Sequence, residues 1–178
     1  MPSNERSSTA LALGMILLGT VARLLPHPPN VTPVTALGLF AGATLMSTRW
    51  TAALPLVMVV LSDLVIGMHE TVAFTWGSFL LIGWLGSWLR RDATPRRIVL
   101  ASLAGSLLFF LITNFGVWLI GDQGTMYPKT WAGLISCFAA ALPFFRNTLV
   151  GDLCFTAALF GLHQLAIRSL APDTSRAR

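Results

Sequence analysis

Apolar runs that approach the length needed to cross a bilayer follow one another along this chain, and that succession constrains the fold more than any motif does. A membrane-crossing helix needs roughly 20 predominantly apolar residues. Runs over residues 9–25, 34–46, 52–68, 72–89, 98–121 and 147–170 predict six transmembrane helices. Composition agrees, since 54% of the 178 residues are hydrophobic and 11% are charged, against about 25% charged in ordinary soluble domains. Six helices with short connections use nearly the whole chain. The expectation is one all-α membrane domain over residues 1–178, with no separate soluble catalytic domain.

The breaks between runs have local causes. The first run stops at Pro26-His27-Pro28-Pro29, because proline cannot continue a helix. No A-x-A-like cleavage site precedes it, so the first helix reads as retained rather than as a removed signal peptide. The third run stops at His69-Glu70. Residues 131–145, interrupted by Pro143, are short for a span and predict an interfacial or re-entrant segment. The net charge of +5 is concentrated in Arg90, Arg91, Arg96 and Arg97 around one loop and in Arg168, Arg176 and Arg178 near the C-terminus. Arginines beside apolar spans follow the positive-inside bias and do not make a nucleic-acid surface. They place both termini in the cytoplasm of a bacterial inner membrane and turn the loops at 26–33, 69–71 and 122–146 outward. Cys137 and Cys154 have no metal-ligand spacing and read as small buried hydrophobes. Small residues at helical spacing (Ala10 with Gly14, Ala101 with Gly105, Ser102 with Ser106, Ala157 with Gly161) fit close packing between helices.

Ionisable groups inside apolar spans are costly, so they are the first candidates for function. Asp63, Asn114 and Asp152 all fall roughly 7–11 Å below the outer ends of their helices, at about 1.5 Å of rise per residue. Arg23 lies near the outer end of the first span, and Arg146 with Asn147 at the outer start of the sixth. His69 and Tyr127 sit in the outer loops. The ligand-binding candidates are therefore Asp63, His69, Asn114, Tyr127, Arg146, Asn147 and Asp152, and His27 and His69 are candidate metal ligands. Trp76, Phe74, Trp118, Trp131, Phe144 and Phe145 fall near the same end, where an aromatic belt is also expected. The inner half of the spans offers little beyond His163. A competing reading makes the acids and arginines buried ion pairs that pin helices together. No HExxH, Walker A, Gly-rich dinucleotide motif or Ser/His/Asp set is present, so ATP hydrolysis by this chain is set aside.

Several stretches resemble a known group. They are Arg23-Leu-Leu-Pro-His-Pro-Pro-Asn-Val-Thr-Pro-Val-Thr-Ala36, the run Leu61–His69 with its Ser-Asp-Leu, Thr113-Asn-Phe-Gly116, Met126-Tyr-Pro-Lys129 and Pro143-Phe-Phe-Arg-Asn-Thr-Leu-Val-Gly-Asp152. Together they resemble small bacterial membrane proteins related to the substrate-binding S components of energy-coupling-factor (ECF) vitamin transporters, in particular the branch of solitary cobalamin transporters. The resemblance implies a six-helix S-component-like bundle with an outer cavity, uptake of a vitamin with cobalamin as the leading cargo, and no cofactor of the protein's own. It also implies that an energising module, where one is used, meets the Ala10 and Gly14 side of the first helix. The cobalamin branch is associated with a cysteine ligand to cobalt, and residues 69–80 contain none here; Ser78 is the nearest small polar residue, which leaves His69 or His27 as possible cobalt ligands. Two alternatives stand beside transport: a structural or assembly membrane protein with an intramembrane Arg/Asp network and no cargo, and an outer-face enzyme acting on a bound cofactor.

Overall fold

The computed structural model describes residues 3–26, 30–45 and 49–170. They form six α-helices: α1 (Ser3–Leu24), α2 (Val34–Leu45), α3 (Arg49–Ile66), α4 (Val72–Ser87), α5 (Pro95–Ile120) and α6 (Trp131–Leu170), with a short 3₁₀ turn at Trp88–Arg90 after α4. Among the described residues three stretches are long and apolar enough to cross a membrane: Val72–Arg90, Pro95–Ile120 and Trp131–Ser169. Their outer surfaces carry exposed Leu100, Leu107, Leu111, Val150 and Leu162, an apolar exterior of the kind that lipid accommodates and water does not.

The centre of the molecule is α2. Ten of its 12 residues are buried, and it touches each of the other five helices. A helix that is apolar on every side belongs in a core. Phe40, Ala36 and Leu37 pack in one cluster with Ile16 of α1, Val59 of α3, Phe79 of α4 and Leu159 of α6. Its closest neighbour is α4, and the approach depends on glycine. A β-carbon at Gly42 would overlap the carbonyl of Gly83, and one at Gly86 would overlap the backbone of Leu39. Glycine weakens a helix in water but lets backbones meet in an apolar setting. Gly105 plays the same part between α5 and Thr35 of α2.

Several boundaries shift by a few residues from the sequence reading, and two differences have local causes. The third helix ends at Ile66 rather than at 68, because Gly67 adopts φ +115° and its N–H closes on the Asp63 carbonyl at 2.8 Å, the usual glycine stop. Residues 131–145 do not form a separate interfacial segment; they are the first part of α6, which runs through Pro143 for 40 residues. Proline removes one backbone hydrogen bond, and a helix packed in an apolar bundle tolerates that loss. The packing is visible along α5. Ser102 and Thr156 hydroxyls lie 3.2 Å apart, Ser106 reaches Asp152 at 2.6 Å, and Cys137 Sγ donates to the Asn114 carbonyl at 3.4 Å. The early part of α6 thus lies on the C-terminal part of α5 as an extension of the same antiparallel pair.

Of the small-residue pairs, Ala101 with Gly105 is buried against α2 and α4 and Ser102 with Ser106 against α6, whereas Gly14 and Gly161 have no neighbour among the described residues where a β-carbon would stand. Cys137 is buried as expected, but Cys154 is exposed on α6. Arg176 and Arg178 lie outside the described residues.

The glycine contact sets a test of the core. Gly42→Ala and Gly86→Ala should each cost about 1–3 kcal/mol by overpacking, read as a lower unfolding temperature in detergent. Gly77→Ala, which meets nothing within 4 Å, should leave that temperature within error.

Candidate functional site

The buried charges separate into two sets. The first ties three helices together. Arg23, in the last turn of α1, reaches across to α3, where Nη2 donates to Asp63 Oδ1 at 2.6 Å and Nη1 donates to Ser62 Oγ and to the Val59 carbonyl, the latter at 3.4 Å. Trp76 Nε1 of α4 donates to Asp63 Oδ2 at 2.7 Å. Both carboxylate oxygens are therefore used, and Asp63 is 1% exposed. Ser62 Oγ also donates to the Val59 carbonyl, at 2.7 Å. This is an ion pair with its hydrogen bonds completed from three elements, the arrangement that a buried pair requires.

The second set lines a cavity of about 180 Å³ at the N-terminal end of α2. The wall is assembled from every helix except α3. Arg23 comes from α1, Thr35 from α2, Thr75 from α4, Phe109 from α5, and Thr148 and Asp152 from α6, while His69 enters from the α3–α4 connection and Asn30 and Thr32 from the α1–α2 connection. Thr148 and Asp152 are four residues apart and so share one face of α6. Asp152 Oδ2 accepts from Ser106 Oγ at 2.6 Å, with Thr35 as a further hydrogen-bond partner. His69 Nε2 lies 3.3 Å from Thr75 Oγ1. Asn30 holds φ +62°, a left-handed turn that asparagine accepts more readily than most residues, and this turn feeds the chain into α2 at the cavity edge.

A smaller cavity of about 80 Å³ adjoins the first and shares Asn30, Phe109 and Thr148 with it. Asn114 lines it, with its amide donating to the Phe110 carbonyl at 2.8 Å. Phe144 and Phe145 form its aromatic side, and Phe145 stacks on Phe110 with ring centroids 4.4 Å apart.

The predicted site residues therefore divide. His69 and Asp152 meet in the first cavity and Asn114 in its neighbour, while Asp63 sits behind Arg23 in the ion pair. Arg146 is exposed on α6, and Arg146, Asn147 and Tyr127 line neither cavity. His27 lies outside the described residues. Among the described residues no cluster of three or more His, Cys, Asp or Glu has metal-binding geometry. Ser78 is buried and donates to the Phe74 carbonyl of its own helix at 2.6 Å. Sequence reasoning missed Thr35, Thr75 and Thr148. The i, i+4 spacing of Thr148 and Asp152 was a usable signal; Thr35 and Thr75 offered none without knowledge of how the helices are arranged.

A protein-family model described as a family of unknown function (DUF6580) matches residues 3–174 of the chain. No curated protein matches, and no solved structure matches.

Asp63, unlike its partner Arg23, does not line the cavity, so its mutation tests the ion pair. Asp63→Leu alone leaves a buried cation without its partner and should cost about 3–5 kcal/mol, whereas Arg23→Leu/Asp63→Leu should recover most of that loss. Denaturant unfolding in micelles measures both. A double variant no more stable than the single one would contradict the structural role of the pair.

Proposed function

We propose that this chain, which belongs to the DUF6580 family, is a substrate-binding membrane protein of S-component type that captures a small vitamin or cofactor from outside a bacterial inner membrane. In this reading it crosses the membrane six times with both termini in the cytoplasm, and the arginine loop after α4 marks the cytoplasmic side. One observation carries the proposal. Within an apolar bundle, polar side chains from α1, α2, α4 and α6 converge on one cavity at the end away from the arginine loop. Polar groups held at such depth mark a ligand path by default.

The cavity chemistry favours a small polar cargo. Asp152 and His69 accept or donate hydrogen bonds, four threonine hydroxyls adapt to either role, and Phe109 supplies an apolar face. Cobalamin is the cargo to which the resemblance to solitary cobalamin transporters points, and its size sets a condition. Sites for small molecules commonly enclose about 300–1,000 Å³, while the two adjoining cavities enclose about 180 and 80 Å³. A corrinoid requires the connections above α2 and between α5 and α6 to part; a smaller vitamin does not. An energising module, where one is used, would meet α1 at Ala10 and Gly14, which are exposed and have room for an approaching helix.

A second reading has its own support. The completed Arg23–Asp63–Trp76 cluster is what a structural or assembly protein without cargo would contain.

Ligand binding in lipid nanodiscs distinguishes the two. A vitamin panel that includes cobalamin should contain one member that raises the unfolding temperature. Asp152→Asn and His69→Ala should each weaken its binding about tenfold, equivalent to about 1.4 kcal/mol, and Arg146→Ala should leave it unchanged. If the cargo is a corrinoid held through His69, His69→Ala should also shift its absorption spectrum. A panel without any binder, together with variants that change only stability, would support the assembly reading.

A further inference from the structure

The larger enclosed space lies at the other end of α2, where the sequence offered little beyond His163. A cavity of about 580 Å³ opens there between the C-terminal end of α2, the turn after α4, the start of α5 and the last turns of α6. Its walls are mostly apolar, with Leu89, Ile98, Val99, Phe160 and Ile167 contributing. Among the described residues its cationic lining comes from Arg90 and Arg168, and no carboxylate lines it. A second groove beside it shares Arg90 and adds Arg91 and Arg97. The Arg97 guanidinium is fixed by Asp92 at 2.9 Å and by the Trp88 carbonyl at 3.3 Å, which ties the arginine loop against the end of α4.

His163 belongs to the same wall. Its ring stands edge-on to Phe40 with centroids 5.1 Å apart, and its Nε2 is shielded from solvent without a hydrogen-bond partner among the described residues. A shielded ring nitrogen of this kind gains from any ligand that brings an oxygen to it.

We propose that this cavity binds an anionic phospholipid of the adjacent leaflet, with an acyl chain against the Phe160–Ile167 wall and the phosphate between Arg90 and Arg168. The occupant follows from complementarity. An apolar slot in the flank of a membrane helix bundle admits an acyl chain, and arginines at its mouth, on the side that positive charge marks as facing anionic lipid, select a phosphate. A free phosphate would leave the apolar wall unfilled. An acidic peptide would have to cover it with a helix. The site is independent of the outer cavity and of the transport reading.

Native mass spectrometry of the full chain tests this, using phosphatidylglycerol and phosphatidylcholine with identical acyl chains. Phosphatidylglycerol should be retained about tenfold more than phosphatidylcholine. Arg168→Ala should remove most of that preference, and Arg168→Lys should keep much of it. Arg96→Ala removes the same charge from outside the cavity and should change little. Phe160→Trp, which narrows the slot, should lower retention of both lipids. Equal retention of the two lipids would overturn the proposal. So would a loss on Arg96→Ala as large as that on Arg168→Ala, displacement of the lipid by millimolar inorganic phosphate, or a dimer whose formation expels it.

Discussion

The contact between α2 and α4 is the constraint from which the rest of the arrangement follows. Two helices meet at glycine backbones, Gly42 on Gly83 and Gly86 on Leu39, so their axes approach more closely than any pair separated by side chains. That contact fixes α2 in the middle of the bundle, where the remaining helices close around it. It also fixes its depth. A helix of 12 residues is roughly 18 Å long, against about 30 Å of hydrocarbon in a bilayer. The longer helices beside it continue past both of its ends. The spaces left above and below α2 are the two cavities, one lined by Val34 and Thr35 at its first turn, the other by Ala43 and Thr44 at its last.

Seen this way, the buried polar residues have distinct tasks set by position. Asp63 lies in the α1–α3–α4 seam with both oxygens engaged, and its energetic role is to join helices. Asp152 lies in the α5–α6 seam, where Ser106 meets one oxygen, and the cavity opens beside it. The two acids look equivalent by depth and type. Their surroundings make one a fastening and the other a buried wall residue of a polar space.

Much of this was legible in the sequence, for identifiable reasons. Six helices follow from the apolar runs, and the convergence of His69 and Asp152 near one end follows from counting residues from the helix ends. What was not legible depends on neighbours. Pro143 reads as a break because proline removes a helix hydrogen bond, yet α6 runs through it, with Phe138 and Phe145 on either side packed on Phe110 of α5. The run 34–46 reads as a span because it is apolar, yet nothing in its own composition shows that protein surrounds it on every side. Arg146 reads as a ligand contact because it borders a loop, but it is exposed on α6 and lines neither cavity. The inner cavity was invisible because it is made mostly of apolar side chains from four separate segments, whose polar members are scattered singly along the chain.

The two cavities also differ in what closes them. The cavity at the N-terminal end of α2 is walled by five helices but takes Asn30, Thr32 and His69 from connections, and Glu70, next to His69, accepts an exposed hydrogen bond from the Gln123 N–H at 3.3 Å. Asp122, Gln123 and Gly124 all sit at positive φ in the α5–α6 connection, a conformation that costs something for the two residues with side chains. Exposed hydrogen bonds and a strained turn are inexpensive to open. Between the two cavities stands the body of α2, with Ala36, Leu37, Leu39 and Phe40 each at most 1% exposed. Passing a polar molecule through that layer would mean separating the glycine contact itself. A polar route along α2 would therefore break the core of the bundle, whereas parting the exposed loop contacts would leave that core intact.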